Sequence, residues 1–543
     1  MIRDVDRLTD RTFDVLVVGG GIYGLTIAND AAQRGLSVAL LERDDFGSGA
    51  SFNHLRTIHG GLRYLQSLDL GRARESTIER RTIARIAPHT VRPLPFALPL
   101  YRSLTRGKVA MRLGFAVDRL VSAGRNRGVP GPLRLPGGRV YARGSAIQRF
   151  PGLKRQGLTG AAVWHDYVMV EPDRLTFSWA QAADANGAVL VNHMEAIEPL
   201  KDGARIVGMR ARDVVDGRTV RVSAHVTVNA AGSAIDRVLS SVGLSARVPM
   251  VKVMNLVTRR DAGDEALGGR SASGRNLFMV PWHERALFGT WEAGVLCDPA
   301  DTTVAEHDVA AFVAELNQAF PSLDLSLADI TLVHHGSVPA TAHHGKVALE
   351  GHDQIRDHDA EGVSGLVTVA GAKYTTARAV AQRVTDLLLK KLQRPPVECR
   401  TGDTILSGGN VRDVGLAIAE GRREHDEGLP TDTMPHLIAA YGSRFRDVLA
   451  IADGRPALRK RVAKGLPVIG AELVHAARSE MAVTLADAMI RRTPVGALGH
   501  PGDDAIEKAA GLVGEERAWS DERRRSEVAA VKAFYGTLKA SNT

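Results

Sequence analysis

The stretch Phe13–Arg43, FDVLVVGGGIYGLTIANDAAQRGLSVALLER, decides the fold. Its apolar, β-branched start, Val15–Val18, predicts a buried parallel strand. Gly19, Gly21 and Gly24 follow in G-x-G-x-x-G spacing. The first glycine permits a tight turn, the second lets the backbone approach a pyrophosphate, and the third lets helix and strand pack closely. Leu25–Gln33 reads as the helix whose N-terminus faces the phosphates. Gly35 stops that helix, and Val38–Leu41 forms the next strand. Glu42 ends it about 20 residues beyond the glycines, where a carboxylate accepts from ribose hydroxyls, and Arg43 stands beside it. The glycines alone are a weak signal. Strand, glycines, helix, strand and acid in this order predict a dinucleotide site.

The bulk composition narrows the class. The 543 residues have room for about two to four domains. A hydrophobic content of 44% and a charged content of 24% are those of a globular protein. The formal net charge of +9 favours an anionic partner: a phosphate, a nucleic acid or a membrane surface. Aromatic residues make up only 5%, and no zinc-finger or RNA-binding signature occurs, so no nucleic-acid partner is expected. Cys297 and Cys399 lie far apart, which argues against a disulfide framework and fits a reducing cytoplasm. No apolar run approaches the ~18 residues of a membrane span. The charged start, MIRDVDRLTDRTFD, is unlike a signal peptide and reads as a short helix.

Further along, small residues from Gly47 to Ser51 let the backbone crowd a ligand, and Ser51 can donate to a phosphate. His59-Gly60-Gly61 is a sharp turn followed by Arg63 and Tyr64. Prolines in Val91–Leu100 predict loops and short edge strands. Tyr101–Arg127 is basic and amphipathic, suited to an anionic membrane surface or to packing as a solvated helix. Asp216-Gly217 between two β runs predicts a hairpin. Val226–Ser233, VTVNAAGS, and Leu366–Arg378, LVTVAGAKYTTAR, each read as a buried strand entering a glycine corner.

The opening unit together with Ile58–Leu65, IHGGLRYL, resembles the FAD-dependent glycerol-3-phosphate dehydrogenases of the D-amino-acid-oxidase-like flavoprotein superfamily. The resemblance also covers Phe278–Thr290, Leu366–Arg378 and Glu472–Thr493. It implies an α/β fold: a Rossmann-like FAD-binding domain of the glutathione-reductase/DAO type, a β-sheet substrate domain and a C-terminal α-helical cap. The expected boundaries are 1–90, 145–245 and 345–395 for the FAD domain, 91–144 and 246–344 for the sheet domain, and 396–543 for the cap. It implies FAD rather than NAD, with Gly60, Gly61, Ala231, Gly232, Gly371, Thr375 and Thr376 along the cofactor. Arg63 and Tyr64 then face the substrate. His59, Arg63, Tyr64 and Lys373 are the candidates for base and electrostatic roles, with His59 and Lys373 also against the flavin.

The family holds its substrate's phosphate with two arginines of the sheet, and here those positions read Val338 and Glu350. Its G-T-T-D reads Gly289-Thr290-Trp291-Glu292. Losing a guanidinium fork removes charge-assisted bonds worth on the order of 1.5–3 kcal/mol each. Two readings of the function follow. One is a glycerol-3-phosphate dehydrogenase proper, passing electrons to a quinone or oxygen. The other is the same fold oxidising a non-phosphorylated polyol or an amine, with Trp291, Glu292, Val338 and Glu350 in the substrate pocket. No metal site is expected. The resemblance adds a homodimer, cytoplasmic or peripheral on the inner face of the membrane.

Overall fold

The opening apolar run becomes the central strand of a mostly parallel sheet. The computed structural model describes residues 1–536 except 104–106, 245–247, 272–273, 300, 302, 344–345 and 426–427; the side chains of Arg63, Gln66, His343 and Lys346 also lie outside the described set. After a 3-10 turn at Asp6–Leu8, β1 (Phe13–Val18) pairs in parallel with β2 (Val38–Leu41) and β10 (Thr219–Asn229). With β7 (Val189–Val191), β17 (Gln354–Asp357) and β18 (Leu366–Ala370) the order is β17-β18-β10-β1-β2-β7. Helices α1 (Ile22–Gln33), α5 (Pro172–Ala185) and α8 (Ala377–Lys391) bury their apolar faces on one side of this sheet. A meander of β8 (Met194–Asp202), β9 (Arg205–Asp213) and the start of β10 covers the other. Its turn carries Gly217 at φ +78°, the hairpin predicted at Asp216-Gly217.

The second sheet is built from β3 (Thr57–Ile58), β4 (Val91–Leu100), β5 (Arg139–Ala142), β6 (Gly160–Met169), β11 (Met250–Thr258), β12 (Ala266–Arg270), β13 (Asn276–Trp282), β14 (Arg285–Cys297), β15 (Ile330–His343) and β16 (Lys346–Leu349). Its order is β16-β15-β11-β14-β13-β12-β4-β6-β3, with β5 on β6. Two expectations change here. β6 leaves the stretch 145–245 expected in the FAD domain, because it pairs with β4 along its whole length. The proline-rich segment is one continuous ten-residue strand rather than loops. Pro93, Pro95 and Pro99 are spaced by two and four, so their missing N–H groups all fall on one edge. The neighbour on the other side of β4 from β6 is β12, and it pairs only with Phe96 and Ala97.

Helix α2 (Leu70–Ile86) backs the His59 turn. Helix α3 (Lys108–Val121) lies outside, α4 (Arg143–Arg149) and α6 (Ile235–Ser241) are short connectors, and α7 (Glu306–Ala319) seals the far face of the second sheet. The C-terminal helices are α9 (Val414–His425), α10 (Thr433–Tyr441), α11 (Phe445–Ala450), α12 (Gly470–Ser479), α13 (Asp503–Glu516) and α14 (Asp521–Phe534). They form the expected helical domain and share a core with the second sheet through Phe52, Trp282, Leu287 and Met489.

Buried ion pairs lock this domain to the rest. Arg492 donates to both carboxylate oxygens of Asp45, and Arg174 to both of Glu480 at 2.6 and 2.7 Å. His436 lies between Glu472 (2.8 Å) and Glu171 (3.2 Å), and Glu171 also meets His283 at 3.1 Å. Burial disfavours the imidazolium, but Glu472 and Glu171 outweigh it and push His436 up from 6.5 to about 10. Because the folded value lies above the ordinary one, the stabilisation is complete below pH 6.5 and drains away as pH rises to about 10. His436→Gln should cost about 3 kcal/mol at neutral pH and flatten the alkaline loss of stability. Denaturant midpoints measured across that interval for both proteins check this.

Candidate active site

At the nucleotide end, the glycines are demanded by contact. Gly19 takes φ +108°, and a Cβ there would lie 2.5 Å from the Ala230 carbonyl oxygen. A Cβ on Gly24 would lie 1.8 Å from the Gly19 oxygen, so any larger residue separates α1 from β1. Gly21 is the N-cap of α1, and the Ile22 N–H donates to Ser51 Oγ at 2.9 Å. Glu42 accepts from the Gly20 N–H at 2.6 Å and the Asp44 N–H at 2.8 Å. Burial raises its carboxyl to about 7 even though both backbone bonds favour the anion. Gly19, Glu42, Arg43, Ala231, Met194 and Arg237 line an open cleft of about 110 Å³. Arg43 is exposed and paired with Asp44 at 3.1 Å, and Gly232 turns the chain at φ +58°.

At the other end, β3 delivers His59 into a hydrogen-bonded frame. Its Nε2 meets Thr57 Oγ1 at 2.7 Å, its Nδ1 meets Asp166 Oδ2 at 3.3 Å, and its backbone N–H donates to Thr375 Oγ1 at 3.2 Å. The imidazole is half exposed while Asp166 is buried. Asp166 also accepts from the Gly60 N–H (2.8 Å) and Trp164 Nε1 (3.0 Å) and forms a short ion pair with Arg80 of α2. Burial opposes its charge, yet Arg80 and His59 prevail and hold it down to about 2. Asp166 and Arg80 escape the sequence reading. Their signals are a carboxylate two residues after Trp164, on the same strand face, and an arginine on the buried side of an amphipathic helix.

The late corner meets this frame. A Cβ on Gly371 would lie 2.2 Å from the Tyr23 hydroxyl. Lys373 Nζ donates to the Gly351 carbonyl at 2.8 Å and lies 4.2 Å from the centroid of the Tyr64 ring. Thr376 precedes α8, and its buried Oγ1 has no hydrogen-bond partner among the described residues. The Arg63 side chain is outside the described residues. Val338 pairs with Val251 and joins an apolar cluster with Val253, Ala340 and Leu349. Glu350 does not aim its carboxylate outward: it accepts from the His352 N–H at 2.7 Å and from Gln354 at 3.3 Å. Trp291 packs under α7, with the core on the far face of the sheet, so it is not brought to the substrate side. Glu292, one residue on, alternates to the face of Val253.

Residues 14–387 match the family of FAD dependent oxidoreductases, and residues 399–524 match the C-terminal domain of alpha-glycerophosphate oxidase. A glycerol-3-phosphate dehydrogenase of Mycobacterium leprae (strain TN) is 33% identical over 545 residues, covering 97% of this chain and 89% of that protein. The chain belongs to the FAD-dependent glycerol-3-phosphate dehydrogenase family. A relative from Synechocystis sp. is 29% identical, covering 91% of each chain. The crystal structure of a glycerol-3-phosphate dehydrogenase from Bacillus halodurans complexed with FAD has the same fold, with a TM-score of 0.77 at 24% identity, covering 98% of this chain and 96% of that one.

The residues present fit FAD. The glycine cradle at the α1 N-terminus is one that a Cβ would fill, and the carboxylate at the end of β2 lines the adjoining cleft. Thr376 Oγ1 and His54 Nε2, the latter's ring 5.1 Å from Tyr374, are buried atoms near the second corner with no hydrogen-bond partner among the described residues. Asp166→Asn should leave FAD bound but disturb the His59 frame. Anaerobic flavin reduction in that variant should slow on the order of a hundredfold, the low end of what a positioned base contributes, in stopped-flow measurements.

Proposed function

We propose that this enzyme oxidises glycerol-3-phosphate at its secondary alcohol and passes the electrons to a quinone or another acceptor. The observation that carries this is the His59–Asp166–Arg80 frame beside Lys373 and Tyr64, in a chain related end to end to glycerol-3-phosphate dehydrogenases. FAD, when bound, supplies the two-electron acceptor. Asp166 accepts the Nδ1–H of His59, so Nε2 carries the lone pair and accepts from the Thr57 hydroxyl; that hydroxyl passes its proton to Nε2 as it takes the alcohol proton. Thr57 and Thr375 hold that ring and its backbone against the late corner. Lys373 presents positive charge on the substrate side.

A non-phosphorylated substrate is not favoured. Of the two carboxylates that suit a polyol or an amine, Glu350 and Glu292, the first is committed to the turn it caps. Glycerol-3-phosphate added without oxygen should bleach the flavin absorbance of the purified protein. Bleaching by a polyol or amine and not by glycerol-3-phosphate overturns the reading.

We also propose that α3 docks on an anionic membrane surface. Among the described residues no helix is long and apolar enough to cross a membrane. Helix α3 instead exposes Val109, Leu113 and Leu120 at 70%, 64% and 77%, near Leu68 at 80%, with Lys108, Arg112 and Arg119 on the same helix. An apolar stripe flanked by cations suits the headgroup boundary. The protein should co-sediment with phosphatidylglycerol vesicles, be released by salt, and lose binding when Leu113 and Leu120 are both replaced by Glu. Equal sedimentation of that variant overturns the docking face.

A further inference from the structure

Two cations reach Tyr64 from different elements. Arg72, in the first turn of α2, sets its Cζ 5.1 Å from the Tyr64 ring centroid, and Lys373 Nζ stands 4.2 Å from the same centroid. Both close on Gly351. Lys373 Nζ donates to its carbonyl oxygen at 2.8 Å, and a Cβ on Gly351 would lie 2.8 Å from Arg72 Nη1. The one carboxylate paired with Arg72 among the described residues is Asp69. It meets Nε at 3.5 Å and also caps α2 by accepting the Arg72 N–H at 3.1 Å. The outer nitrogen, Nη2, is buried and has no hydrogen-bond partner among the described residues, and the side chain as a whole is 13% exposed.

An orphaned guanidinium nitrogen beside a second cation is unfavourable unless an anion completes the set. Gly351 directly follows Glu350, one of the positions where the family's phosphate arginines are absent. A guanidinium reaching in from α2 therefore arrives beside the position that the sheet leaves without one. Arginine suits this task better than lysine, because its fork matches two phosphate oxygens at once.

We propose that Arg72 is the phosphate-binding arginine of this enzyme, acting with Lys373 on the substrate's phosphate in place of the sheet arginines. The inference rests on the glycerol-3-phosphate reading above for its substrate, and on the Arg72–Tyr64–Lys373 geometry for its site.

The test uses the holoenzyme and the variants Arg72→Gln and Arg72→Lys, with glycerol-3-phosphate, glycerol and inorganic phosphate as probes. Arg72→Gln should raise KM for glycerol-3-phosphate by about tenfold to a hundredfold, the weight of one charge-assisted contact, with kcat nearly unchanged. Arg72→Lys should recover part of the loss, and the preference for glycerol-3-phosphate over glycerol in flavin reduction should fall in Arg72→Gln by the same factor as the rise in KM. Inorganic phosphate, titrated by calorimetry, should bind the parent enzyme and weaken by a similar factor in Arg72→Gln. An unchanged KM together with unchanged phosphate binding overturns the assignment. If glycerol-3-phosphate fails to reduce the flavin but phosphate binding still depends on Arg72, the substrate reading falls and the anion subsite stands. If Arg72→Gln loses FAD, phosphate binding to Arg72→Lys decides: weakened binding supports the site, and parental affinity, or no phosphate binding by the parent, overturns it.

Discussion

A carboxylate buried in a strand, Asp166, organises the turn that carries His59. Removing a carboxylate from water is costly unless donors surround it. Asp166 has Arg80, the Gly60 N–H, Trp164 Nε1 and His59. These donors come from α2, the His59 turn and β6, so one charge fixes three elements. The pair of glycines after His59 follows from it. A Cβ on Gly60 would lie 2.1 Å from Arg80 Nη1, inside the guanidinium that neutralises Asp166. Gly61 takes φ +79°, and a Cβ there would press on Ser76 of the same helix. The H-G-G sequence is thus a steric consequence of where the counter-ion sits.

The two glycine corners are joined by one side chain. Tyr23, in the first turn of α1, donates to Asp353 at 2.6 Å, and the Lys373 N–H approaches its hydroxyl at 3.4 Å. The corner at Gly371 has to be glycine because that hydroxyl occupies the space of its Cβ. The first turn of α1 therefore joins the nucleotide cradle to the Gly371–Lys373 corner. A second tie runs from α8 to α2, where Arg378 grips Glu79 with both arms at 2.7 and 2.5 Å. Displacing α1 or α8 would shift both ends of the cofactor groove together.

Local signals in the sequence reached as far as local structure extends. The β-α-β opening and the Asp216-Gly217 hairpin follow from periodicity and turn chemistry, the helical C-terminal region from the family resemblance, and the structure contains each. The misses are relations between distant strands. Pro93, Pro95 and Pro99 read as strand breakers because nothing local reveals that they share one sparsely paired edge. Strand 160–169 read as part of the first domain because its partner, β4, is some 60 residues earlier in the chain. Trp291 and Glu292 could not be assigned to faces, since the β11–β14 register shifts twice between Val251 and Leu256. A single bulge inverts every later side chain. The exchange of Val338 and Glu350 for arginine was legible as chemistry. Only coordinates show that Glu350 turns back on its own loop.

The segment that leads to His59 is pinned by one buried arginine. Arg56 takes φ +58°, a left-handed conformation that costs a non-glycine residue on the order of 1 kcal/mol. Its guanidinium, fully buried, lies between the Phe52 and Trp282 rings at 4.8 and 4.7 Å, with Asp173 at 3.6 Å and His334 at 3.5 Å. Arg491, from the C-terminal domain, stacks on Phe52 at 3.9 Å. Burial raises the Asp173 carboxyl to about 6, with Arg56 and Arg491 pulling it back, and burial weakens the proton affinity of both arginines. Aromatic faces rather than carboxylates supply much of the solvation these cations lose. A flat, weakly hydrated guanidinium tolerates that exchange and an ammonium does not. Phe52, Trp282 of β13, Asp173 of α5 and His334 of β15 thus hold an arginine in a strained backbone conformation three residues before His59, and the C-terminal domain joins this packing through Arg491 on Phe52.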